Sequence, residues 1–312
     1  MKIENTFIKS VLREANPIPH IWQHLCDIWH KHVTEDLKDY YYHGEEEAFL
    51  FEDFLLKAYD EFFSKELPRA CLNTPSPFQS ASHDSCFVVM DGMSIREGIL
   101  ICEALKKEGF TPRMRCSFSA IPSDTQSFRE KMKSDVANSS LPAASFTTRI
   151  GKFAEINNPK KIMISGKEKC IWSHFPDVML DKIQVGHTVI SDLENMYRTS
   201  EQIVFELVRK AHAKKIIILS DHGYIRFESG FSFSLPEASR KKLRETFASS
   251  RFTTMNTTDL SELVGDGYIT EFSGYYLVKS RYVWPVPGKY SIYLHGGISL
   301  MECLTPLIEV EK

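Results

Sequence analysis

The sequence predicts an α/β protein with a mostly parallel central sheet flanked by helices. Two unbroken apolar runs, Cys86–Met90 and Ile216–Leu219, indicate buried strands, because such runs are typical of parallel strands that are covered on both faces. Helical patterns lie between these runs, which is the alternation expected of βα units. A helical N-terminal segment precedes this part of the chain.

The composition is that of an ordinary globular protein. The 312 residues are 43% hydrophobic and 25% charged, and the formal net charge is −3, so any nucleic-acid-binding basic surface must be local. No apolar stretch is long enough to span a bilayer, and the first residues show no signal-peptide core. The seven cysteines are odd in number and form no Cys-x-x-Cys pair, which favours reduced thiols in a cytoplasmic protein.

The N-terminal part of the chain predicts helices with apolar, aromatic-rich faces. Apolar residues recur at helical spacing over residues 21–29 and 51–63. We expect these helices to pack against the main domain or against a partner, including a second copy of the chain. Pro and Ser are frequent over residues 73–85, which indicates a linker. The predicted division is a helical segment with its linker over residues 1–80 and an α/β domain over residues 81–312.

Local patterns predict further elements along the α/β domain. The apolar spacing after Asp91 predicts a helix that ends at Gly109, in the position that follows a helix C-cap. Polar residues dominate the stretch from about 231 to 274, which predicts an irregular cap beside the site with one short helix near residues 240–247. The remaining predictions are strands over 113–118, 161–165 and 188–191, and a helix that starts at a capping-box pattern over 199–202.

Acidic residues follow three of the predicted strands. Asp91 and Asp192 come directly after the strands 86–90 and 188–191, and the pair Asp221-His222 follows the strand that contains Ile216–Leu219. The carboxyl ends of parallel strands lie at one edge of a sheet, where open α/β proteins bind their ligands. Because carboxylate and imidazole groups are suitable ligands for Zn or Mn, the sequence predicts a metal site at this edge.

A set of short motifs occurs in one order along the chain. They are DGMSIRE from Asp91, SAIPSDTQ from Ser119, Asp192, SDHGY from Ser220 and HGGISL from His295. This order resembles the PglZ domain, a branch of the alkaline phosphatase superfamily, and the resemblance runs from about residue 84 to the C-terminus. Each motif is weak alone, but their combination and order are fairly specific.

The resemblance implies a set of metal ligands. Asp91, Asp221 and His222 look like the ligands of one divalent ion, and Asp192 and His295 look like ligands of a second. Zn is the expected metal, with Mn or Mg as alternatives, and one or two ions would bind. Glycines beside these residues would let the backbone approach a ligand closely.

The resemblance also implies a nucleophile, which would face the metals as a further ligand. Ser123 matches the superfamily's nucleophile, and coordination of a hydroxyl to a divalent cation favours its alkoxide. Ser94 and Thr125 are rival nucleophiles. Ser123 also fits a helix N-cap with Gln126 completing a capping box, and a helix N-terminus favours an anion. Arg96 is either a phosphate contact or a side chain that snorkels at a helix start.

One position departs from the family's pattern. Better-known members place a histidine four residues after the aspartate that corresponds to Asp192, and here that position is Met196. A thioether is a poor ligand for Zn or Mn, so the second metal would be held weakly unless His187 or His174 substitutes.

Several other candidate groups have ordinary explanations. The basic residues over 240–244 fit a solvated helix face, with steering of a nucleotide backbone as the alternative. Trp172, Trp284 and Tyr282 are expected in the core, with base stacking as the alternative. The histidines of the N-terminal helices are expected to be surface or packing residues. They are His20, His24, His30, His32 and His43.

The resemblance implies a metal-dependent phosphoester hydrolase, with phosphodiesters such as nucleotides or nucleic acids as the preferred substrates. In that mechanism Ser123 attacks phosphorus, the metals stabilise the leaving oxygen, and water cleaves the phospho-enzyme. Family members occur in phage-defence systems of the BREX kind and in signalling proteins, so a defence role is implied by the resemblance alone. The alternatives are a phosphomonoesterase, a sulfatase-like hydrolase, and a catalytically weakened domain that acts as a structural or interaction subunit.

Overall fold

The computed structural model of the chain describes residues 5–80, 82, 84–137, 159, 170–183, 189–255, 258–289 and 291–312. The helices are α1 (Asn5–Arg13), α2 (Ile18–Lys31), α3 (Leu37–Ala58), α4 (Leu67–Asn73), α5 (Ile95–Lys107), α6 (Thr125–Ala137), α7 (Asp177–Leu180), α8 (Val189–Lys210), α9 (Glu237–Phe247), α10 (Ser261–Gly265) and α11 (Leu300–Cys303). A π-helical turn (Phe62–Glu66) and a 3-10 turn (Pro77–Ser80) flank α4. The strands are β1 (Ser85–Met90), β2 (Arg113–Phe118), β3 (Cys170–Ser173), β4 (Lys215–Ser220), β5 (Ile225–Arg226), β6 (Phe252–Thr254), β7 (Ile269–Phe272), β8 (Tyr275–Val278), β9 (Tyr293–Leu294) and β10 (Leu304–Glu311).

The central sheet has the strand order β2-β10-β4-β1-β3 and is flanked by helices, which confirms the α/β class. Strand β1 pairs in parallel with both β3 and β4. Strand β10 is antiparallel to both of its neighbours, β4 and β2. The sheet is therefore mixed and only partly parallel, whereas the sequence predicted a mostly parallel one.

The source of this difference is β10, which the sequence did not predict. Pro306 lies within it, and proline in a run normally argues against a central strand because it lacks the N–H donor. Pairing with β4 begins one residue later, at Leu307, so the proline lies outside the segment paired on that side. The prediction of strands β1, β2 and β4 is confirmed, whereas the strand predicted over 161–165 lies outside the described residues.

Helix α5 begins and ends with the expected capping structures. Ser94 and Glu97 form a capping box at its start. At its end Gly109 has φ +86°, its N–H donates to the carbonyl of Lys106 (3.0 Å), and the N–H of Phe110 donates to the carbonyl of Leu105 (3.0 Å). This is a Schellman motif, so the predicted end of the helix at Gly109 is confirmed.

Two sequence predictions fail in helix α8. The strand predicted over 188–191 is wrong, because the chain is helical from Val189 onward. The predicted helix start at 199–202 lies inside the same helix, where the Ser200 hydroxyl donates to the carbonyl of Met196 (2.9 Å) instead of capping. The reason is that Leu193, Met196 and the later apolar residues continue one helical stripe into the core, and this burial outweighs the β-propensity of the first residues.

The stretch from 231 to 274 is more regular than predicted. The predicted short helix corresponds to α9, and β6, β8 and β7 form a separate antiparallel sheet in that order. A two-residue turn joins β7 to β8, in which Ser273 has φ +49° and Gly274 has φ +83°. Positive φ at both positions defines the turn that matches the twist of a β-hairpin. Strands of three or four residues give too little alternation to be recognised in the sequence.

The N-terminal helices pack against the α/β part of the chain. Buried side chains of α1 to α4, among them Trp29 and Phe51, belong to the same hydrophobic core as Val88 of β1 and Ile218 of β4. The predicted linker contains the 3-10 turn, whose Phe78 packs on Phe87 at a ring distance of 4.7 Å. None of the described helices is long and apolar enough to cross a membrane, and all seven cysteines are free thiols.

Candidate metal and nucleophile site

Three strands end level with one another at one edge of the central sheet. Met90, the last residue of β1, is in register with Ser173 of β3 and with Ser220 of β4. The next residue in each segment therefore emerges at the same place, and two of these residues are Asp91 and Asp221. This is the convergence that the sequence predicted from the parallel strands.

The Asp221-His222 pair has a defined local conformation. Asp221 Oδ1 accepts the backbone N–H groups of Gly92 and His222, each at 2.9 Å. His222 Nδ1 lies 2.9 Å from the carbonyl of Gly223, and because a carbonyl only accepts, Nδ1 carries a proton. His222 Nε2 then faces Asp91 Oδ1 at 3.7 Å and Asp221 Oδ2 at 3.6 Å. Ligand atoms of Asp91, Asp221 and His222 all lie within 4.8 Å of one another, as expected for a shared cation.

A second group of ligand atoms adjoins the first. Asp177, His222 and His295 also offer atoms within 4.8 Å of one another. The His295 ring stacks on that of His222 at 3.9 Å, and its Nδ1 lies 3.3 Å from the carbonyl of Ser123, which leaves Nε2 available. Asp177 is held beside β1 because its N–H donates to the carbonyl of Asp91 (3.0 Å). Sequence reasoning missed Asp177, although the apolar residues Cys170–Trp172 before it were a signal for a short strand.

Thr125 places its hydroxyl among the ligands of the first group. Its Oγ1 lies 2.6 Å from Asp221 Oδ2, 3.1 Å from Asp91 Oδ1 and 3.3 Å from His222 Nε2. Thr125 is also partly exposed. It is the first residue of α6, where the helix dipole favours negative charge. The Thr125 hydroxyl, which the sequence offers as an alternative to Ser123, therefore lies among the candidate metal ligands.

Ser123 makes different contacts. It is fully buried, its Oγ donates to the carbonyl of Gly297 (2.8 Å), and it accepts the N–H of Gly296 (3.1 Å). Its hydroxyl therefore anchors the loop after His295 and is not directed at the carboxylates. The N-cap of α6 is Asp124, whose Oδ1 accepts the N–H of Ser127 (2.7 Å), instead of the predicted Ser123.

The structure also places Asp192 and Met196. Asp192 lies in the first turn of α8 instead of at a strand end, and the described groups of potential metal ligands do not include it. Met196 is fully buried in the main core. His174 approaches the site, with its Nδ1 3.6 Å from Asp91 Oδ2, whereas His187 lies outside the described residues. Among the described residues, Asp177 and not Asp192 belongs to the ligand group that contains His295.

Arg96 does not face the site. Its side chain is fully buried, and its guanidinium donates to Glu45 Oε2 (2.9 Å from Nε), the carbonyl of Tyr224 (2.9 Å) and the hydroxyl of Ser94 (3.2 Å). These partners occupy its donors, so the predicted phosphate contact does not suit this position. Ser94 does not face the site either, because its side chain caps the N-terminus of α5.

The charges of the site are strongly coupled. Burial and the charge of Asp91 raise the pKa of Asp221 to about 6, and the same two causes raise the pKa of Asp177 to about 7 against the opposing effect of His222. Burial opposes the charged form of His222, but Asp221, Asp177 and Asp91 outweigh it and raise the pKa to about 9. Burial and the nearby His222 lower the pKa of His295 to about 3. Without a cation, the site therefore relieves the repulsion among its carboxylates by binding protons.

This arrangement fits a divalent metal. Three carboxylates, two imidazoles and one hydroxyl form a set of oxygen and nitrogen donors of the kind that Zn or Mn prefers. A bound cation would remove the repulsion that raises the pKa values of Asp221 and Asp177. Trp172 Nε1 donates to Asp91 Oδ2 (3.1 Å), which orients one carboxylate from behind.

A cavity of about 260 Å³ opens beside this site. His295 and Asp181 lie on its lining, and Phe252, Trp284 and Tyr293 add aromatic surface. The exposed Lys289 lines the same cavity. The cavity therefore has the apolar walls and the few polar groups that are typical of small-molecule sites.

The other candidate groups of the sequence analysis have structural partners. All four basic residues of α9 lie near carboxylates. Arg240 is 2.6 Å and Arg244 3.8 Å from Glu237, Lys241 is 4.0 Å from Glu245, and Lys242 is 3.0 Å from Glu262. This agrees with a solvated helix face. Trp172 is buried against the site and Tyr282 packs with the small core around β7 and β8, so of the three aromatic candidates only Trp284 lines the cavity.

The fold and the site are those of an alkaline phosphatase-like α/β protein with candidate groups for divalent metal ions. The family model of the BREX system PglZ alkaline phosphatase-like domain matches residues 149–310, which is more than half of the chain. The chain therefore belongs to the PglZ family, and its domain is of the phosphoesterase superfamily of hydrolases. The match includes Asp177, Asp221, His222 and His295, whereas Asp91 and Thr125 precede it. No curated protein matches the chain.

Proposed function

We propose that the chain is a divalent-metal-dependent hydrolase of phosphodiesters, with nucleotides or nucleic acids as substrates and Thr125 as nucleophile. One observation carries this proposal, namely that the Thr125 hydroxyl lies 2.6–3.3 Å from Asp221, Asp91 and His222. A hydroxyl needs help to become a nucleophile, and a cation held by these three residues would supply it. The Ser123 hydroxyl instead forms hydrogen bonds with the backbone of Gly296 and Gly297.

Each residue of the site has a role in this reaction. Asp91, Asp221 and His222 would hold one ion, and Asp177 and His295 would bind a second beside it. A bound divalent ion supplies Lewis acidity that favours the alkoxide and neutralises charge on the phosphate. Thr125 Oγ1 forms the bond to phosphorus as the ester oxygen leaves, and water then cleaves the phosphothreonine to restore the hydroxyl.

The cavity beside His295 supports a diester over a monoester. A diester carries a second organic group, and this group needs a surface close to the phosphate. Trp284, Phe252 and Tyr293 offer aromatic walls on which a base could stack, and Lys289 offers a positive charge for a neighbouring phosphate. These features support nucleotides or nucleic acids as the substrate class.

The biological setting is part of the same proposal. The BREX system in the family's description supports a role in phage defence. We also propose a cytoplasmic protein, because all seven thiols are free. A protein partner or a second copy of the chain would bind on the outer side of the N-terminal helices, where Leu50 and Leu72 are exposed.

Hydrolysis of chromogenic esters tests the proposal. Metal-free protein is supplied with Zn²⁺, Mn²⁺ or Mg²⁺, and turnover of bis(p-nitrophenyl) phosphate is compared with that of p-nitrophenyl phosphate and the corresponding sulfate. We expect metal-dependent turnover with preference for the diester. Thr125→Ala should lose at least about a thousandfold in kcat, as expected for a missing nucleophile.

Two variants serve as matched controls. Thr125→Ser keeps a hydroxyl at the same position and should retain activity, whereas Ser123→Ala should mainly cost stability, about 1–3 kcal/mol for the lost buried hydrogen bonds. Loss of activity in Ser123→Ala together with full activity in Thr125→Ala would assign the nucleophile to Ser123. If the metal-loaded protein cleaves none of the esters, the hydrolase proposal fails and a structural role remains.

A further inference from the structure

A third group of potential metal ligands lies where helices α2 and α3 meet, far along the chain from the residues of the candidate active site. His32 follows the last residue of α2 as its C-cap, Glu35 lies in the connecting loop, and His43 lies on α3. One ligand atom from each residue lies within 4.8 Å of the others. The sequence analysis assigned these histidines to the surface or to packing, and the structure brings them together.

Glu35 is hydrogen-bonded to both histidines, which brings the ligand atoms close to one another. Glu35 Oε1 lies 2.9 Å from His32 Nδ1, and Glu35 Oε2 lies 2.9 Å from His43 Nδ1. Two ligands on a tetrahedral Zn²⁺ with bonds of about 2.1 Å are about 3.4 Å apart, so a shift of about half an ångström would open the site. The C-terminal end of α2 adds the negative end of its helix dipole, which also favours a cation.

His32 supplies an independent indication. Its side chain is 6% exposed, and its buried Nε2 forms no hydrogen bond. Glu47 Oε1 lies 3.4 Å from this nitrogen, at ion-pair distance, and is also contacted by Lys31. Metal-bound histidines commonly direct their second ring nitrogen at a carboxylate, and this partner strengthens the ligand. Glu47 stands in that position if His32 binds the metal through Nδ1.

The net charge of the group also favours a cation. Two neutral imidazoles with the carboxylates of Glu35 and Glu47 carry two negative charges, of which Lys31 offsets one at Glu47, so the group keeps a net negative charge that favours a cation. The site is open to solvent on one side, because the side chains of Glu35 and His43 are 33% and 44% exposed. Water would complete the coordination.

We propose that His32, Glu35 and His43 form a structural zinc site, with Glu47 as the carboxylate behind His32. Zinc there fixes the α2–α3 pair. Helix α3 in turn contacts the α/β core through Tyr41, whose hydroxyl donates to Glu97 Oε1 (2.8 Å). The site does not depend on the proposed hydrolase function.

Zinc stoichiometry and affinity test this proposal. The metal-free protein is titrated with Zn²⁺ alone in a calorimeter, and bound zinc is counted after desalting. His43→Gln changes a half-exposed side chain and should fold normally; it should bind one equivalent fewer than the unaltered protein. His20→Gln, on the same pair of helices, is the matched control and should bind the full number.

Glu47→Gln tests the carboxylate behind His32. It should weaken zinc binding at this site about 10- to 100-fold while leaving the other equivalents unchanged. Equal zinc stoichiometry in His43→Gln and the unaltered protein overturns the proposal. Unchanged affinity in Glu47→Gln removes Glu47 from it. Diesterase activity of His43→Gln, measured with saturating metal, separates this site from the candidate active site because it should stay within about twofold of the unaltered protein.

Discussion

Glu45 joins α3 to Arg96 and Arg281 through buried ion pairs, and its replacement gives a sharp stability prediction. It is 2% exposed, its Oε2 accepts from Arg96 Nε (2.9 Å) and Nη2 (2.5 Å), and its Oε1 accepts from Arg281 Nη1 (2.5 Å). Burial opposes ionisation of this carboxyl, but the two guanidinium groups outweigh burial and lower its pKa to about 2. Glu45 therefore carries its charge at neutral pH.

Glu45→Gln keeps the shape of the side chain and removes the charge. Two buried guanidinium groups then lose a shared counter-ion, although Glu52 still accepts from Arg281 Nε (2.6 Å). Loss of one partner of a buried ion pair costs about 3–5 kcal/mol, because the remaining charge is left without compensation. This is a large part of the 5–15 kcal/mol that is typical of a folded protein. Glu46→Gln, at the exposed neighbouring position, should cost less than about 0.5 kcal/mol.

Urea unfolding, followed by circular dichroism and tryptophan fluorescence, measures the effect. We expect one transition for both signals, because helices and sheet share a core. The stability difference between the two proteins should also change with pH in a defined direction. A lowered folded pKa gives stability that is present above the unfolded value of 4.5 and lost as the pH falls through about 2, so the gap between the two proteins should narrow in acid. A difference below about 1 kcal/mol at pH 7 would refute this reasoning.

Two further predictions concern the candidate metal site. The folded, metal-free protein holds protons on His222 (pKa about 9) and Asp177 (pKa about 7) more tightly than the unfolded chain does, with its values of 6.5 and 3.8. Its stability in EDTA should therefore fall as the pH rises through the pKa values of the folded protein. The affinity for Mn²⁺ should rise from pH 6 to 9, because the metal displaces these protons. A thermal midpoint and a Mn²⁺ affinity that do not change between pH 6 and 9 would contradict this prediction. Gly223→Ala places a Cβ 2.0 Å from the backbone carbonyl oxygen of Met301, so it should cost about 1–3 kcal/mol or more in chemical denaturation, whereas Gly265→Ala meets no atom within 4 Å and should be nearly neutral. Equal stability of the two glycine variants would show that this contact gives way.

Part of the site was predictable because it follows from continuous, fully apolar strands. Strands β1 and β4 are recognisable in the sequence, and parallel pairing brings the residues after them, Asp91 and Asp221, to one edge. Asp177 was not predictable in the same way. It depends on β3, a strand of four residues, and Asp192 was preferred because its preceding residues have β-propensity although they begin a helix.

The sequence also could not show which of two hydroxyls faces the carboxylates. Ser123 and Thr125 are two residues apart, and which of them faces the carboxylates depends on where α6 begins. The cap at Asp124 makes Thr125 the first helical residue, and the Ser123 hydroxyl binds a loop 174 residues further along the chain. Arg96 is a similar case, because its partner Glu45 is 51 residues away and no local pattern reveals the pair.

Anomalous diffraction from crystals grown with Zn²⁺ or Mn²⁺ tests the central claim most directly, since it locates the ion relative to both hydroxyls. We expect a peak within about 2.0–2.2 Å of ligand atoms from Asp91, Asp221 and His222, with the Thr125 oxygen facing it and the Ser123 oxygen directed away. A peak beside Ser123, or fully loaded crystals without a peak at the three ligands, would contradict the assignment of this site.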